Sequence, residues 1–311
     1  MTSLNIKDYL NNLPSVITVG TFDGIHLGHQ KLINTVLNIS KTENLKSVVL
    51  TFNPHPKIVL NNNPQISLLT TQEEKIKILN SFNIDYLITQ EFTKSFSRLS
   101  PLEFVRDILV NKLNAKHIVI GYDHHFGRNR DANSNQLLEF SKSFDFDVTE
   151  VEALNKNKIS VSSTKIRNLI FEGNIIDANR YLGYDFILTG NVVRGLGRGK
   201  KLGFPTANIN IDSKKIKPSD GVYFIYSVIN KKTCYGMMNI GKNPTFIDKG
   251  YSMEVHLFDF NEDLYGRELT IRMVEKIRDE MKFDSPNDLS FQLKIDKKKC
   301  FQIINSLKKT T

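Results

Sequence analysis

SVITVGTFDGIHLGHQ, from Ser15 to Gln30, is the stretch that predicts the fold of the first half of the chain. Its β-branched apolar start predicts a strand, its middle predicts a polar loop, and the pattern from Gly28 to about Glu43 predicts a helix. Three more apolar runs predict strands, with helical patterns between them: KSVVLTF (Lys46–Phe52), DYLITQ (Asp85–Gln90) and KHIVIG (Lys116–Gly121). This alternation predicts an α/β domain whose mainly parallel sheet has helices on both faces.

Two helices of this half begin with capping signals. In TQEE, Thr71 and Glu74 have the spacing of a capping box. In SPLE, Ser100 is a suitable N-cap, and proline and glutamate follow it at the favoured first and third helical positions.

The pattern changes after two short helices, SSTKIRNLIFEG and NIIDANRYLG, each of which ends at a glycine suited to a left-handed C-cap. Five strand-like runs follow without long helices: DFILTGNVV, GVYFIYSVI, TCYGMMNI, YSMEVHLFDF and ELTIRMVEKI. We expect a closed antiparallel β-barrel or a sandwich. The chain finishes with a helix that has Ser285 as N-cap and Pro286 at its first position. The boundary predicted after Gly183 gives domains of residues 1–183 and 184–311.

The composition is that of an ordinary soluble protein in which basic residues outnumber acidic ones. Of 311 residues, 40% are hydrophobic and 24% are charged, and the formal net charge is +9. This charge favours nucleic acid, phospholipid surfaces or phosphorylated small molecules as partners, although a Lys- and Asn-rich composition explains it equally well. No apolar run approaches the roughly 20 residues of a membrane span, and the start lacks a signal-peptide pattern. Cys234 and Cys300 have no metal or redox spacing. We expect a cytoplasmic protein without a membrane partner; no pattern indicates an oligomeric state.

Three polar loops follow the predicted parallel strands, at the sheet edge where ligands of such sheets bind. They are GTFDGIHLGHQ (Gly20–Gln30), TFNPHP (Thr51–Pro56) and GYDHHFGRNR (Gly121–Arg130). In the first loop, His26 and His29 flank Gly28 at a helix start, where free N–H groups and two imidazoles can hold phosphate oxygens. A zinc site and two solvated histidines are the alternatives, although no carboxylate or thiolate is placed to complete a zinc site.

These motifs, together with VSSTKIR (Val161–Arg167), resemble in their order the adenylyltransferase module of the bacterial bifunctional riboflavin kinase/FAD synthetases. GTFDGIHLGH looks like the HxGH signature of nucleotidylyltransferases, which implies a Rossmann-like domain. The resemblance implies that His26 and His29 are catalytic and stabilise the phosphates of ATP. It implies ATP binding by Gly20, Phe22, Asp23, Gly28, Asn53, Asp123, Ser162, Ser163, Thr164 and Arg167. The chain departs from the commoner family pattern at His124, where phenylalanine is usual, and at Asp131–Asn133, where glycine is frequent.

RGLGRGKKLGFPTANIN (Arg194–Asn210) is the glycine-rich stretch of the second half. It fits neither the dinucleotide fingerprint, which needs glycine in place of Lys200, nor the P-loop, which needs serine or threonine in place of Lys201. Its glycines leave backbone N–H groups free to surround an anion. Thr206 and Asn208 alternate along an extended segment and share a face, where their oxygens suit Mg²⁺ that bridges ATP phosphates.

The same stretch resembles the riboflavin kinase signature, whose core is GFPTAN. Four further segments match in order: MMNIGKNPTF, MEVHLFDF, DLYG and IRDEMKF. The resemblance implies an antiparallel β-barrel domain with a C-terminal helix, flavin binding by Asn239 and Arg278, and metal binding by Thr206 and Asn208. It implies ATP binding by Gly195, Gly197, Gly199, Lys201, Gly203, Pro205, Thr206 and Asn208.

Glu254 is the catalytic residue that the kinase resemblance implies. It lies in a predicted strand between apolar Met253 and Val255. On the inner face of a barrel, its carboxylate could accept the proton of the riboflavin ribityl hydroxyl. The alternative is an ordinary outward-facing strand glutamate.

The two resemblances cover nearly the whole chain and imply two successive reactions. ATP phosphorylates riboflavin to FMN in the barrel domain, and a second ATP adenylylates FMN to FAD, with release of pyrophosphate, in the first domain. Mg²⁺ is the implied cofactor; riboflavin, FMN and ATP are the implied partners, and no nucleic-acid partner is expected. Two hypotheses stay open: an enzyme that has lost one activity through the changes around His124, and a nucleic-acid-binding protein with a basic barrel and stacking aromatic residues.

Overall fold

The computed structural model describes residues 1–10, 12–60, 66–128, 131–156, 159–195, 199, 203–242 and 251–310. The chain forms two compact units, Met1–Ser163 and Thr164–Thr311. This division lies before the boundary predicted after Gly183, because the two preceding helices pack with the second unit. The side chain of Asn179, for example, donates a hydrogen bond to the carbonyl of Met273 over 2.9 Å. Where the two functional domains divide stays a prediction.

The first unit contains a six-stranded sheet in the order β1-β4-β3-β2-β5-β6, in which all neighbouring strands are parallel. The strands are β1 (Thr2–Asn5), β2 (Ser15–Val19), β3 (Lys46–Asn53), β4 (Tyr86–Glu91), β5 (Ala115–Gly121) and β6 (Asp147–Val151). The helices are α1 (Leu27–Thr42), α2 (Pro56–Leu60), α3 (Gln72–Asn80), α4 (Pro101–Glu103, continued by a π-helix Phe104–Lys112) and α5 (Ser134–Phe144). A short antiparallel pair, β7 (Asn155–Lys156) and β8 (Ile159–Ser160), follows.

The predicted parallel α/β fold is confirmed, and so are both capping boxes. The side chain of Thr71 accepts from the backbone N–H of Glu74, whose carboxylate accepts from the backbone N–H of Thr71. Ser100 and Glu103 make the same reciprocal pair. The strands β1 and β6 lie at the two edges of the sheet and were not predicted, because they are short and mostly exposed.

The strand order places a crevice beside β2. This strand has β3 on one side and β5 on the other, so the loops after β2 and β5 diverge at the carboxyl edge of the sheet. Ligands of open parallel sheets bind at such a point. All five residues of β2 are buried, so polar side chains can meet a ligand only in the loop that follows this strand.

The second unit begins with α6 (Ser163–Phe171) and α7 (Ile175–Leu182) and continues as a closed antiparallel barrel. The barrel order is β10-β13-β12-β11-β14-β9, which confirms the barrel rather than the sandwich. Its strands are β9 (Ile187–Val193), β10 (Ala207–Ile211), β11 (Gly221–Ile229), β12 (Lys232–Lys242), β13 (Tyr251–Leu257) and β14 (Glu268–Arg278), and α8 (Pro286–Thr310) ends the chain. Within the described ranges, the search for a helix long and apolar enough to cross a membrane finds none.

Strand alternation divides the barrel side chains into two sets. Met238, Met253 and Val255 belong to one set and are at most 3% exposed. Phe224 belongs to the other set and packs in one cluster with Cys300 of α8. Because a helix cannot enter a closed and filled barrel, the face of Phe224 is the outer face and the set of Met253 fills the interior.

A buried ion pair joins α8 to β14. The Nη2 of Arg278 lies 2.9 Å from Oδ2 of Asp296, and Nε donates to both carboxylate oxygens. The side chains of Arg278 and Asp296 are only 15% and 2% exposed. The pair therefore fixes the end of β14 against the middle of the C-terminal helix.

We expect Asp296→Ala to lower the free energy of unfolding of the second unit by about 3–5 kcal/mol, because it leaves the buried Arg278 cation uncompensated. Urea unfolding followed by circular dichroism measures the effect. Lys298→Ala, at an exposed position of the same helix, is the control and should leave the midpoint unchanged. Equal midpoints for the two variants would show that the ion pair does not stabilise the unit.

Candidate functional sites

Two histidines meet at the start of α1, in the loop after β2. His26 is the N-cap residue, and its Nδ1 accepts a hydrogen bond from the backbone N–H of His29 over 3.4 Å. The two imidazole rings are stacked, with centroids 3.7 Å apart and planes 14° from parallel. A Cβ atom on Gly28 would lie 3.2 Å from the His26 ring. The glycine of the HxGH motif thus leaves room for the stacked pair beside the crevice.

Both histidines offer ring nitrogens that can take part in hydrogen bonds. Burial lowers the pKa of His29 well below its usual value of 6.5, and the nearby His26 and Lys75 lower it further. Because Nδ1 of His26 accepts a hydrogen bond, the neutral ring carries its proton on Nε2 and can donate there. Within the described ranges, the buried Nδ1 of His29 has no hydrogen-bond partner. Together with the N–H groups of the helix start, the pair is suited to hold an anion.

Phe22 and Asp23 belong to the same loop and precede the histidines. Phe22 is fully buried at φ +47°, and its ring centroid lies 5.2 Å from that of His29. The carboxylate of Asp23, 2% exposed, accepts a hydrogen bond from the backbone N–H of Thr70 over 3.0 Å. The carbonyl of Asp23 accepts one from the hydroxyl of Ser163 over 2.9 Å. These contacts shape the loop that carries the histidines.

The other predicted positions of the first unit lie along the same sheet edge. Asn53 ends β3 and Asp123 follows β5, and both residues are exposed there. Gly20 directly follows β2, where a Cβ atom would lie 3.2 Å from the ring of Phe22. The parallel sheet therefore gathers the three predicted loops at one edge.

The VSSTKIR segment spans the division between the units. Ser162 is exposed and Ser163 begins α6, whereas Thr164 and Arg167 belong to the second unit. ATP binding by these four residues stays a prediction.

The residues that differ from the commoner family pattern, His124 and Asp131–Asn133, lie in ordinary local structure. The ring centroid of His124 lies 5.8 Å from that of Phe126, and Phe126 forms a β-bridge with the fully buried Ala132. Asn133 is the N-cap of α5, and its side chain accepts from the backbone N–H of Asn135 over 3.1 Å. The changed residues thus stabilise the loop after β5.

Lys75 of α3 is a residue that sequence reasoning missed. It is 6% exposed, and its Nζ donates to the carbonyl of Thr21 over 2.7 Å and to Oγ1 of Thr51 over 3.1 Å. Burial lowers the pKa of Lys75 to about 8, against an opposing attraction from Asp23. The only signal in the sequence is its spacing of one helical turn from the fully buried Leu79.

A row of polar residues crosses three strands on the outer face of the barrel. Asn208 of β10 pairs with Glu254 of β13, which pairs with Asn239 of β12. Residues directly opposite each other share a face, so these three side chains are neighbours. The hydroxyl of Thr206 donates to Oε2 of Glu254 over 3.2 Å. This cluster of carboxylate, amide and hydroxyl oxygens fits a hard cation such as Mg²⁺, which takes few protein ligands together with substrate phosphates.

The expectation that Glu254 lies on the inner face of the barrel is wrong. Met253 and Val255 are 3% and 1% exposed and fill the interior, so alternation directs Glu254 outward. An interior packed with apolar side chains has no room for a ligand. A substrate can therefore reach this carboxylate only from outside the barrel.

The glycine-rich loop packs against the same cluster. A Cβ atom on Gly195 would collide with the side-chain amide of Asn208, and one on Gly199 would collide with the Phe204 carbonyl and crowd Thr206. Gly203 has φ +81°, which favours glycine. Gly197 and Lys201 of the predicted site lie outside the described residues.

His256 supports the segment from the other side. Its Nδ1 donates to the carbonyl of Pro205 over 2.8 Å, immediately before Thr206. Burial lowers the pKa of His256, although the hydrogen bond to Pro205 raises it. A neutral imidazole thus holds the backbone that positions Thr206.

Arg278 continues the row but has a partner within the protein. Val222 pairs with both Asn239 and Arg278, so Arg278 lies at the same level of the barrel. Its guanidinium binds Asp296 and lies 5.7 Å from the ring centroid of Phe283. Flavin binding by Asn239 and Arg278 stays a prediction.

Comparisons with known proteins match both halves of the chain to known families. Two protein-family profiles match the chain: FAD synthetase over residues 9–165 and riboflavin kinase over residues 182–304. A bifunctional riboflavin kinase/FMN adenylyltransferase of Buchnera aphidicola subsp. Schizaphis graminum is 40% identical, with 96% of this chain and 97% of the relative covered. Its counterpart in Bacillus subtilis is 35% identical, with 95% and 94% covered. A crystal structure described as a macrolide-efflux protein from Streptococcus pneumoniae superposes with a TM-score of 0.88 at 34% identity, covering 96% of this chain and 98% of that one.

A parallel α/β unit with an HxGH helix start, followed by a barrel with a glycine-rich loop, defines a nucleotide-dependent transferase with two modules. The chain belongs to the family of bifunctional riboflavin kinase/FMN adenylyltransferases. It phosphorylates riboflavin to FMN with ATP and adenylylates FMN to FAD. This family membership replaces the two open hypotheses, that of an enzyme that has lost one activity and that of a nucleic-acid-binding protein.

Gly195 lies close to Asn208 and Gly28 lies close to His26, so a substitution at either glycine should affect one candidate site only. We expect Gly195→Ala to displace the Asn208 amide by about 1 Å and to lower riboflavin phosphorylation by about 10²-fold. Gly28→Ala should move the His26 ring less and should lower FMN adenylylation by a smaller factor. Chromatography of flavins after incubation with ATP and either riboflavin or FMN measures both steps. Each variant is the folding control for the other, and loss of the same step in both would contradict the assignment.

Proposed function

We propose that the two reactions take place at the two sites described above. FMN adenylylation is assigned to the loop after β2, and riboflavin phosphorylation to the outer face of the barrel. The observation that carries the second assignment is the row Asn208–Glu254–Asn239, with Thr206 hydrogen-bonded to Glu254. The predicted catalytic domains, residues 1–183 and 184–311, are kept as part of this proposal.

In the kinase step, Glu254 is the general base. The ribityl hydroxyl of riboflavin attacks the γ-phosphorus of ATP, its proton passes to the Glu254 carboxylate, and ADP leaves. The Thr206 hydroxyl orients this carboxylate by donating to Oε2. The glycine-rich loop holds the phosphates with its backbone N–H groups.

The metal of the kinase site is Mg²⁺ in this proposal. Thr206 and Asn208 would hold it, and it would supply charge neutralisation for the phosphates of bound ATP. The support is the chemistry of the donor set, since hydroxyl and amide oxygens are ligands that Mg²⁺ accepts.

In the adenylylation step, no covalent enzyme intermediate is needed. A phosphate oxygen of FMN attacks the α-phosphorus of ATP, and pyrophosphate leaves. His26 and His29 donate hydrogen bonds to phosphate oxygens and stabilise the charge that develops on them. The support is their stacked, neutral arrangement at a helix start beside the crevice.

We place the protein in the cytoplasm. Cys234 and Cys300 are free thiols, which suits a reducing compartment. Burial raises the pKa of Cys300 to about 12, so this thiol is protonated and inert toward oxidation there.

Glu254→Gln tests the kinase assignment. We expect it to lower riboflavin phosphorylation by about 10²–10⁴-fold, because glutamine cannot accept the proton. FMN adenylylation by the same chain should be unchanged. Glu268→Gln, at an exposed position of β14, is the matched control and should retain both steps. A Glu254→Gln enzyme that still converts riboflavin to FMN would refute the role.

His29→Ala tests the adenylylation assignment in the reverse direction. Loss of one phosphate donor should lower conversion of FMN to FAD by about 10²–10³-fold, while riboflavin is still phosphorylated. The measurement is the separate yield of FMN and FAD over time. If His29→Ala and Glu254→Gln each abolished both steps in folded protein, the division between sites would be wrong.

A further inference from the structure

Lys75 lies beneath the loop that carries the histidine pair. Its Nζ is 2.7 Å from the carbonyl oxygen of Thr21 and 3.1 Å from Oγ1 of Thr51. The hydroxyl of Thr51 also donates to the carbonyl of Thr21, over 3.2 Å. The ammonium group therefore joins three elements: α3, the end of β3 and the first turn of the loop after β2.

The surroundings of this ammonium group are mostly neutral. Asp23 attracts it from the loop, and His29 faces it from α1, whereas β3 contributes the neutral hydroxyl of Thr51. The carboxylate of Asp23 also binds the backbone N–H groups of Leu69 and Thr70. Lys75 is thus a cation buried near His29, whose own pKa is lowered well below 6.5.

A purely structural role explains this arrangement poorly. The carbonyl of Thr21 keeps a donor in the Thr51 hydroxyl when Lys75 is absent. An apolar side chain of similar length would fill the same volume without the cost of burying a charge. The charge of Lys75 adds to burial and to the nearby His26 in lowering the pKa of His29.

We propose that Lys75 is a positioning residue for adenylyl transfer: its ammonium ion fixes the start of the loop to β3 and places a positive charge beneath the histidine pair. The inference rests on the proposed assignment of FMN adenylylation to the histidine pair. Lys75 acts through the loop and His29 and is not assigned a contact with the substrate.

Lys75→Met removes the charge and keeps the volume. We expect FMN adenylylation to fall by about 10²-fold, the effect of a displacement near 1 Å at a reacting centre. Riboflavin phosphorylation by the same chain should be unchanged, and the urea unfolding midpoint should not fall. Lys77→Met, an exposed position two residues along α3, is the matched control and should retain both activities.

Two readouts separate the effect of the charge from that of packing. The pKa of Lys75 is about 8, so the ammonium is present below that pH and lost above it. Wild-type adenylylation should therefore decline as the pH rises through 8, and the Lys75→Met enzyme should lack this decline. In ¹⁵N-histidine NMR titrations, the pKa of His29 should rise in Lys75→Met but stay low in Thr51→Val, which loses a hydroxyl and keeps the cation.

The results that overturn the proposal differ from those that overturn the site assignment. A Lys75→Met enzyme with full adenylylation, or one whose loss follows a lowered unfolding midpoint with an unchanged His29 pKa, refutes the role of the charge. Retention of adenylylation in His29→Ala refutes the site assignment instead. Loss of adenylylation in both Lys75→Met and His29→Ala, together with a raised His29 pKa in Lys75→Met, supports both the role of the Lys75 charge and the site assignment.

Discussion

Apolar packing of the sheet and of the barrel interior confines the chemistry of this protein to two places. In the first unit, β2 is buried along its whole length, so polar side chains can meet only beyond the carboxyl ends of the strands. In the second unit, Met253 and Val255 fill the barrel, and the intervening Glu254 must face outward. Both candidate sites lie where these buried apolar side chains end. Packing alone therefore fixes their positions.

The two candidate sites offer different groups to an anion. The helix α1 begins at Leu27, after the loop that follows β2, and its free N–H groups lie beside the stacked rings of His26 and His29. Beside the polar row of the barrel, Gly195 approaches the side-chain amide of Asn208, and Thr206 and Asn208 offer oxygen atoms of the kind that Mg²⁺ accepts.

Local patterns in the sequence predicted the elements and the loops of both sites, but not the direction of every side chain. The α/β alternation, the capping boxes and the barrel strands were predictable because each depends on a few neighbouring residues. The outward direction of Glu254 depends on which face of β13 closes the barrel, and the partner of Arg278 is Asp296 on another element. Lys75 was missed because a lysine in an amphipathic helix is normally solvated, and only the tertiary structure buries it.

A lysine whose pKa falls from 10.5 to about 8 reports a cost of about 3 kcal/mol for keeping the ammonium charged in the folded protein. Since the folded pKa is the lower one, the unfolded chain binds more protons between pH 8 and 10.5, and stability rises with pH across that window. At neutral pH the full cost is present. An uncharged side chain at position 75 would avoid it, yet the chain places the cation next to Thr21, Thr51 and His29. A residue that acted only in packing would be more favourable without the charge, so this cost supports the role proposed for the Lys75 ammonium group.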